Sequence, residues 1–138
     1  MNASIPPPND LLRLRDFAQS LAREAAAAIT QGLAQAHRVT EKAPGDWCSA
    51  LDAAIEQELR ARIAHTFPTH QFWGEESDAG EPTRLDPDRY TWLIDPIDGS
   101  MNFLRGYPQY AVSIALLQGS EPIVGCVMDP VRGECFAA

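Results

Sequence analysis

The sequence predicts an α+β domain, with two long helices packed on a largely antiparallel sheet. Three observations carry that expectation. Apolar residues in the first half recur every three to four positions, as they do along one face of a helix. The second half breaks into short apolar runs bounded by Gly, Pro and Asp, the punctuation of strands. The last three of those runs are joined by connectors too short for anything but antiparallel neighbours.

Taken in order, Asn9 or Asp10 can cap a first helix after the rigid Pro6-Pro7-Pro8 segment. Its buried stripe is Leu14, Phe17, Leu21, Ala25, Ile29 and Leu33, and the alanine run 25–28 allows close packing. Lys42, Pro44 and Gly45 mark a polar loop. Ser49 and Asp52 then open a second helix in the manner of a capping box, with Leu51, Ile55, Leu59 and Ile63 on one face and Phe67-Pro68 closing it. Strands are expected at 71–74, 91–95, 110–117, 122–128 and 134–137, the last three as a meander. The intervening stretch 75–90, rich in Asp, Glu, Pro and Gly, reads as a mobile surface loop. The final apolar run reaches Ala138 with no polar tail, which would leave a sheet edge bare and leads us to expect an incomplete chain.

A length of 138 residues corresponds to one domain, and 45% hydrophobic with 22% charged residues excludes a disordered tail, a collagen-like repeat or a coiled coil. The net charge of −8 argues against a nucleic-acid partner, whose binding needs clustered cations. No run approaches the roughly 18 apolar residues of a membrane span, and Met1 to Pro8 lack an export leader, so no membrane partner is expected. Cys48, Cys126 and Cys135 form neither a close pair nor an even set, which speaks against a disulfide framework and for a reducing cytoplasm. His37, His65 and His70 fall at or beside helix ends without metal-ligand spacing and are expected in surface or capping roles; Trp47, Trp73 and Trp92 are expected to pack.

The chemistry concentrates in the stretch from Trp92 to Phe103. An apolar strand delivers Asp95 at its end, Pro96 bends the exit, Asp98 returns a second carboxylate, and Gly99 lets the main chain approach a ligand closely. Hard divalent cations such as Mg2+ favour a few carboxylates plus phosphate oxygens, so the pattern suits metal-assisted phosphate chemistry. If Gly99 and Ser100 begin a helical turn, their N–H groups would face a phosphate. A second acidic pair, Glu75-Glu76, follows another strand at the same kind of junction, and carboxylates crowded into one cleft repel unless a cation compensates them. Asp52 has two readings: a helix first-turn acid that complements the helix dipole, or a member of this acidic cleft. For Asp95 and Asp98 the plain alternative is a Pro-Gly turn bearing solvated acids.

Three segments together resemble the inositol monophosphatase family of magnesium-dependent, often lithium-sensitive phosphatases. These are Gly74-Glu75-Glu76-Ser77; Trp92-Leu93-Ile94-Asp95-Pro96-Ile97-Asp98-Gly99-Ser100 with Asn102-Phe103; and the stretch from Lys42 to Asp52 containing Asp46-Trp47-Cys48-Ser49. The likeness runs from about Leu11 to the end and implies the first half of that sugar-phosphatase fold: an N-terminal metal-binding α+β domain over 1–138 whose second α/β domain is absent.

Carried onto these positions, the resemblance implies that Glu75, Asp95 and the Ile97 carbonyl hold a first Mg2+ and that Asp95 and Asp98 share a second. Gly99 and Ser100 would offer amides to the phosphate, placing Glu75, Ile97, Asp98, Gly99 and Ser100 around the substrate. Asp52 and the Ser100 hydroxyl would orient or deprotonate the attacking water, with Glu75 also counted in the catalytic set, and displacement would proceed without a covalent phosphoenzyme. Ser100 and Ser49 stand where the family generally has Thr, which keeps each hydroxyl and removes a methyl. Family members are roughly twice as long, and their second half supplies a further Asp and most contacts to the alcohol.

The implied substrate is a small phosphate monoester, inositol monophosphate first, with Asn102-Phe103 leaning toward that branch. Histidinol phosphate, fructose 1,6-bisphosphate and adenosine 3′,5′-bisphosphate are alternatives. The resemblance also suggests a homodimer. The competing class is a non-catalytic half-protein that binds magnesium or a partner chain.

Overall fold

The computed structural model describes residues 6–36, 44–78 and 85–138. Helices α1 (Pro8–Ala36) and α2 (Pro44–Thr66) lie on one face of a sheet built from β1 (Gln71–Gly74), β2 (Tyr90–Asp98), β3 (Ala111–Gln118), β4 (Glu121–Asp129) and β5 (Glu134–Ala137). Two short helices follow these strands: α3 (Glu75–Asp78) directly after β1, and α4 (Ser100–Leu104) one residue after β2. The sheet order is β1-β2-β3-β4-β5; β1 runs parallel to β2, and every other pair is antiparallel. This is the expected α+β architecture with the expected meander.

The apolar stripe of α1 is buried as its spacing demands: Leu14, Ala18, Leu21, Ala25 and Ile29 reach the core, where the alanines let the helix sit close to β4. They meet Ile55, Leu59 and Ile63 of α2 and the inward positions Trp92, Ile94, Val112, Ile114, Leu116, Val124, Cys126 and Met128 of the sheet. Phe17, Phe67, His70 and Trp92 form an aromatic cluster with ring centroids 4.6–6.3 Å apart.

Several expectations are corrected. α1 begins at Pro8, with the amides of Asp10 and Leu11 bonded to the Pro7 carbonyl, so Asn9 and Asp10 lie inside its first turn. α2 begins at Pro44, a residue whose fixed φ suits a first helical turn, five residues before Ser49. Pro44 and Gly45 are therefore helical, while 37–43, including His37 and Lys42, lie outside the described residues. The stretch 75–90 opens with α3 and closes with the first residue of β2, and 79–84 lie outside the described residues.

His70 is half-buried: its Nδ1 accepts the Trp92 Nε1–H at 3.0 Å and its ring stacks on Phe67. Cys126 and Cys135 do form a close pair on β4 and β5, with sulfurs 3.5 Å apart. Both are free thiols, and burial followed by the neighbouring Cys135 holds Cys126 well above the usual thiol range.

Candidate active site

The acidic residues gather where β1 ends against β2, which runs on four residues further to Asp98. Because the two strands are parallel and Gly74 pairs with Ile94, Glu75 leaves the sheet beside Asp95, which stays in β2 and pairs with Ser113 of β3. Asp95 and Asp98 are three residues apart, a separation that would send them to opposite faces of a regular strand. The register against β3 slips by one between Asp95↔Ser113 and Asp98↔Ala111, with Pro96 and Ile97 both buried inside the slip. This bulge re-aims the strand end and returns Asp98 to the exposed side that Asp95 borders.

Gly99 then turns the chain at φ 93°, ψ 36°, a left-handed conformation that glycine adopts without strain; a Cβ there would also come within 2.9 Å of the Gln109 carbonyl. α4 starts at Ser100 with no side-chain cap, so its first amides are unclaimed by any capping side chain. The Asn102 Nδ2 donates to the Gln109 carbonyl at 2.8 Å, and this residue is thereby committed to holding the loop.

The first-turn reading of Asp52 does not survive. The residue lies two turns inside α2, only 3% exposed, with Oδ1 buried and without a hydrogen-bond partner. Burial, then the carboxyls of Glu76 and Asp95, push it up to about 8, and it shares a hydrogen bond with the Glu76 side chain. Asp95 is its counterpart. Burial first, then a shared hydrogen bond and repulsion from Glu75 and repulsion from Asp98, raise it to about 7, against the opposing N–H donated by Ile97; its Oδ1 is likewise buried and unpartnered.

The structure thus joins Asp52, Glu75, Glu76, Asp95 and Asp98 into one electrostatic cluster, with Asp52 against Glu76, Asp95 against Glu75, and Asp98 beside Asp95. Ser100 follows at the first position of α4, and Ile97 is buried beneath the bulge. Among the described residues no three His, Cys, Asp or Glu side chains close on one point as they stand. The donor set nevertheless suits a hard cation: all its side-chain donors are oxygens, two of them are buried orphans, and burial, then the neighbouring acids, keeps two of the carboxyls protonated near neutrality.

Glu76, expected in the acidic cleft but given no role of its own, is the partner of Asp52. One further residue went unread from sequence. Glu56, four residues after Asp52 on α2, is a carboxylate only 2% exposed, accepting the amides of Glu76 at 2.8 Å and Ser77 at 3.1 Å and the Ser77 hydroxyl. The available signal was the spacing Asp52, Glu56, Arg60, which places three ionisable groups along one line of a helix beside its apolar stripe.

A helical layer on a mixed sheet that gathers carboxylates where β1 ends against β2 defines the class of protein. The chain matches the inositol monophosphatase family over residues 10–138. It is 36% identical over 124 residues to inositol monophosphatase 1 of Homo sapiens, covering 89% of this chain and 45% of that protein. With inositol monophosphatase 1 of Solanum lycopersicum it shares 36% over 115 residues, covering 83% and 42%. Among solved structures, inositol monophosphatase II from Staphylococcus aureus MSSA476 superposes with a TM-score of 0.79 at 31% identity, covering 92% of this chain and 46% of that one. Mycobacterium tuberculosis SuhB gives 0.74 at 34%, covering 92% and 44%.

The chain belongs to the inositol monophosphatase family. It spans about half the length of the curated relatives it matches. Among the described residues, no helix is long and apolar enough to cross a membrane.

Proposed function

We propose that this chain carries the metal-binding half of a magnesium-dependent phosphate monoester hydrolase whose substrate is inositol monophosphate. The observation that carries the reading is the pair of buried, unpartnered oxygens on Asp52 and Asp95 within a cluster that keeps protons near neutrality. Glu75, Asp95, the Ile97 carbonyl and Asp98 would hold Mg2+, which when bound supplies charge neutralisation, polarisation of the phosphate and acidification of water.

The rest is the work of the chain's own groups. Asp52, tied to Glu76, would take the proton of an attacking water in its ionised form, which a bound cation favours over the protonated form that burial and its acidic neighbours hold near neutrality. The Ser100 hydroxyl, at the start of α4, orients that water alongside Asp52. The amides of Gly99 and Ser100, uncapped by any side chain, receive phosphate oxygens. The whole protein would be a cytoplasmic homodimer, its second domain contributing the alcohol contacts. Histidinol phosphate, fructose 1,6-bisphosphate and adenosine 3′,5′-bisphosphate are the other substrates to try.

A second reading rests on the half-length coverage of the relatives: a chain that takes up magnesium, or docks on a partner chain, without turnover. Calorimetric magnesium titration combined with phosphate release from inositol 1-phosphate and histidinol phosphate separates the two. Turnover abolished by Asp95→Asn supports the hydrolase; magnesium uptake without turnover supports the second reading. Magnesium binding that neither Asp95→Asn nor Glu75→Gln weakens would remove the site assignment.

A further inference from the structure

We propose that Glu56 is a positioning residue for the acidic cluster: its buried carboxylate clamps the first turn of α3 and thereby sets where Glu75 and Glu76 stand against Asp95 and Asp52. The inference rests on the reading of that cluster as a cation site, and it concerns a residue that touches neither substrate nor the reacting atoms.

Four observations converge on it. First, α3 has only four residues, Glu75–Asp78, so the amides of its opening turn have no partners within the helix. Glu56 supplies them from a different element, Oε2 taking the Glu76 amide at 2.8 Å and Oε1 the Ser77 amide at 3.1 Å, with the Ser77 hydroxyl as a third donor. Three donors on a buried carboxylate compensate its charge locally, so Glu56 can hold the turn without needing a cation of its own. Second, Gly74 sits against the carboxylate so closely that a Cβ there would push it out of place.

Third, Arg60, one turn further along α2, grips the other end of the same short helix. Its Nη2 donates to the Ser77 hydroxyl and to Asp78 Oδ2, both at 2.7 Å, while its guanidinium lies 4.1 Å from the Phe72 ring centroid. Asp78 Oδ2 in turn accepts the Gly74 amide at 2.8 Å, closing the turn on itself. Fourth, the helix that carries Glu56 also carries Asp52, four residues earlier on the same face. One rigid rod therefore holds Asp52 directly and, through Glu56, holds Glu76, its hydrogen-bond partner.

The test uses the 138-residue chain and the variants Glu56→Asp, Glu56→Gln and Ser77→Ala, read by two independent measurements. Amide hydrogen exchange at Glu76 and Ser77 reports the clamp without any metal. Glu56→Asp keeps the charge but shortens the reach, and should speed exchange at these two amides at least about tenfold while the amides of β2, β3 and β4 are unchanged. Magnesium titration reports the positioning. Glu56→Asp and Glu56→Gln should each weaken binding about 10- to 100-fold, the usual cost of losing a residue that orients a ligand. Ser77→Ala, which removes one donor of three, should have the smallest effect on both.

Unchanged exchange at Glu76 and Ser77 in Glu56→Asp overturns the clamp. Full magnesium affinity in Glu56→Asp alongside a loss in Glu56→Gln overturns positioning in favour of bulk charge. A parent chain that takes up no magnesium overturns the cation reading of the site instead, and the clamp then stands or falls on exchange alone. If the Glu56 variants fail to fold, the parent decides: strong protection of the Glu76 and Ser77 amides from exchange sustains the clamp, and exchange there as fast as in an unstructured peptide overturns it.

Discussion

The two ends of β2 bury polar groups in opposite ways. Near its start, Trp92 is wholly buried with its Nε1–H satisfied by His70, and Thr91, 3% exposed, accepts from the Gln71 side chain at 3.2 Å. Three residues after Trp92, Asp95 buries an oxygen with no partner, next to acids that repel it, and the strand bulges immediately afterwards. The first arrangement contributes stability to the fold. The second lowers it, and a group kept under such strain is expected where a ligand will relieve it.

Breaking the satisfied end should have the largest effect. Trp92→Ala removes the centre of the aromatic cluster and should cost about 3–5 kcal/mol in chemical denaturation; a loss below about 1 kcal/mol would deny the cluster its anchoring role. At the strained end the sign reverses. At pH 8 with chelator present, Asp95→Asn and Asp52→Asn should melt no earlier than the parent, because each removes a buried charge that nothing offsets, while magnesium no longer raises the variant's melting temperature as it does the parent's. A variant that melts well below the parent in chelator would mean that these carboxyls serve the fold.

His70→Ala leaves the Trp92 Nε1–H without an acceptor, in addition to losing the stacked ring, and the unpaired donor alone should cost about 1–3 kcal/mol.

The two ends should also respond to pH in opposite directions. Asp52 and Asp95 carry folded-state values of about 8 and 7 against an ordinary 3.8, so between those limits the folded chain binds more protons than the unfolded one. Their contribution to stability is present below pH 4 and is lost as pH rises through 7 to 8. Burial first, then Arg89, lowers His70 from 6.5, so its contribution is present above that value and is lost as pH falls through its folded-state value. Melting temperatures across pH 4–9 in chelator should therefore decline on the alkaline side in the parent but not in the Asp52→Asn, Asp95→Asn double variant, and the milder acid-side loss should vanish in His70→Ala.

Sequence patterning made the satisfied region legible and left the strained one half-read. The strands 71–74 and 134–137 coincide with β1 and β5 because Gly, Pro and Asp bound them sharply, and Trp92 was expected to pack. The clustering of Glu75, Asp95 and Asp98 followed from acids placed at strand ends. The bulge that faces Asp98 correctly was not readable, since register is a property of two strands. Glu56 was missed because a glutamate on an amphipathic helix ordinarily reads as solvent face, and only the return of the chain through Ser77 makes it a buried acceptor. Asp52 was left between two readings, because Ser49 imitates a cap and made a first-turn acid plausible, although Pro44 had already begun the helix.

Proton release on metal uptake tests the central claim most directly. Magnesium titrations of the 138-residue chain at pH 7, in two buffers of different ionisation enthalpy, give the number of protons expelled per ion bound. Carboxyls whose protons are held by burial and by acidic neighbours should surrender them when a cation binds, so the apparent binding enthalpy should depend on the buffer, and the dependence should shrink in Asp52→Asn and in Asp95→Asn. Magnesium binding with one buffer-independent enthalpy, unchanged in both variants, would contradict the account.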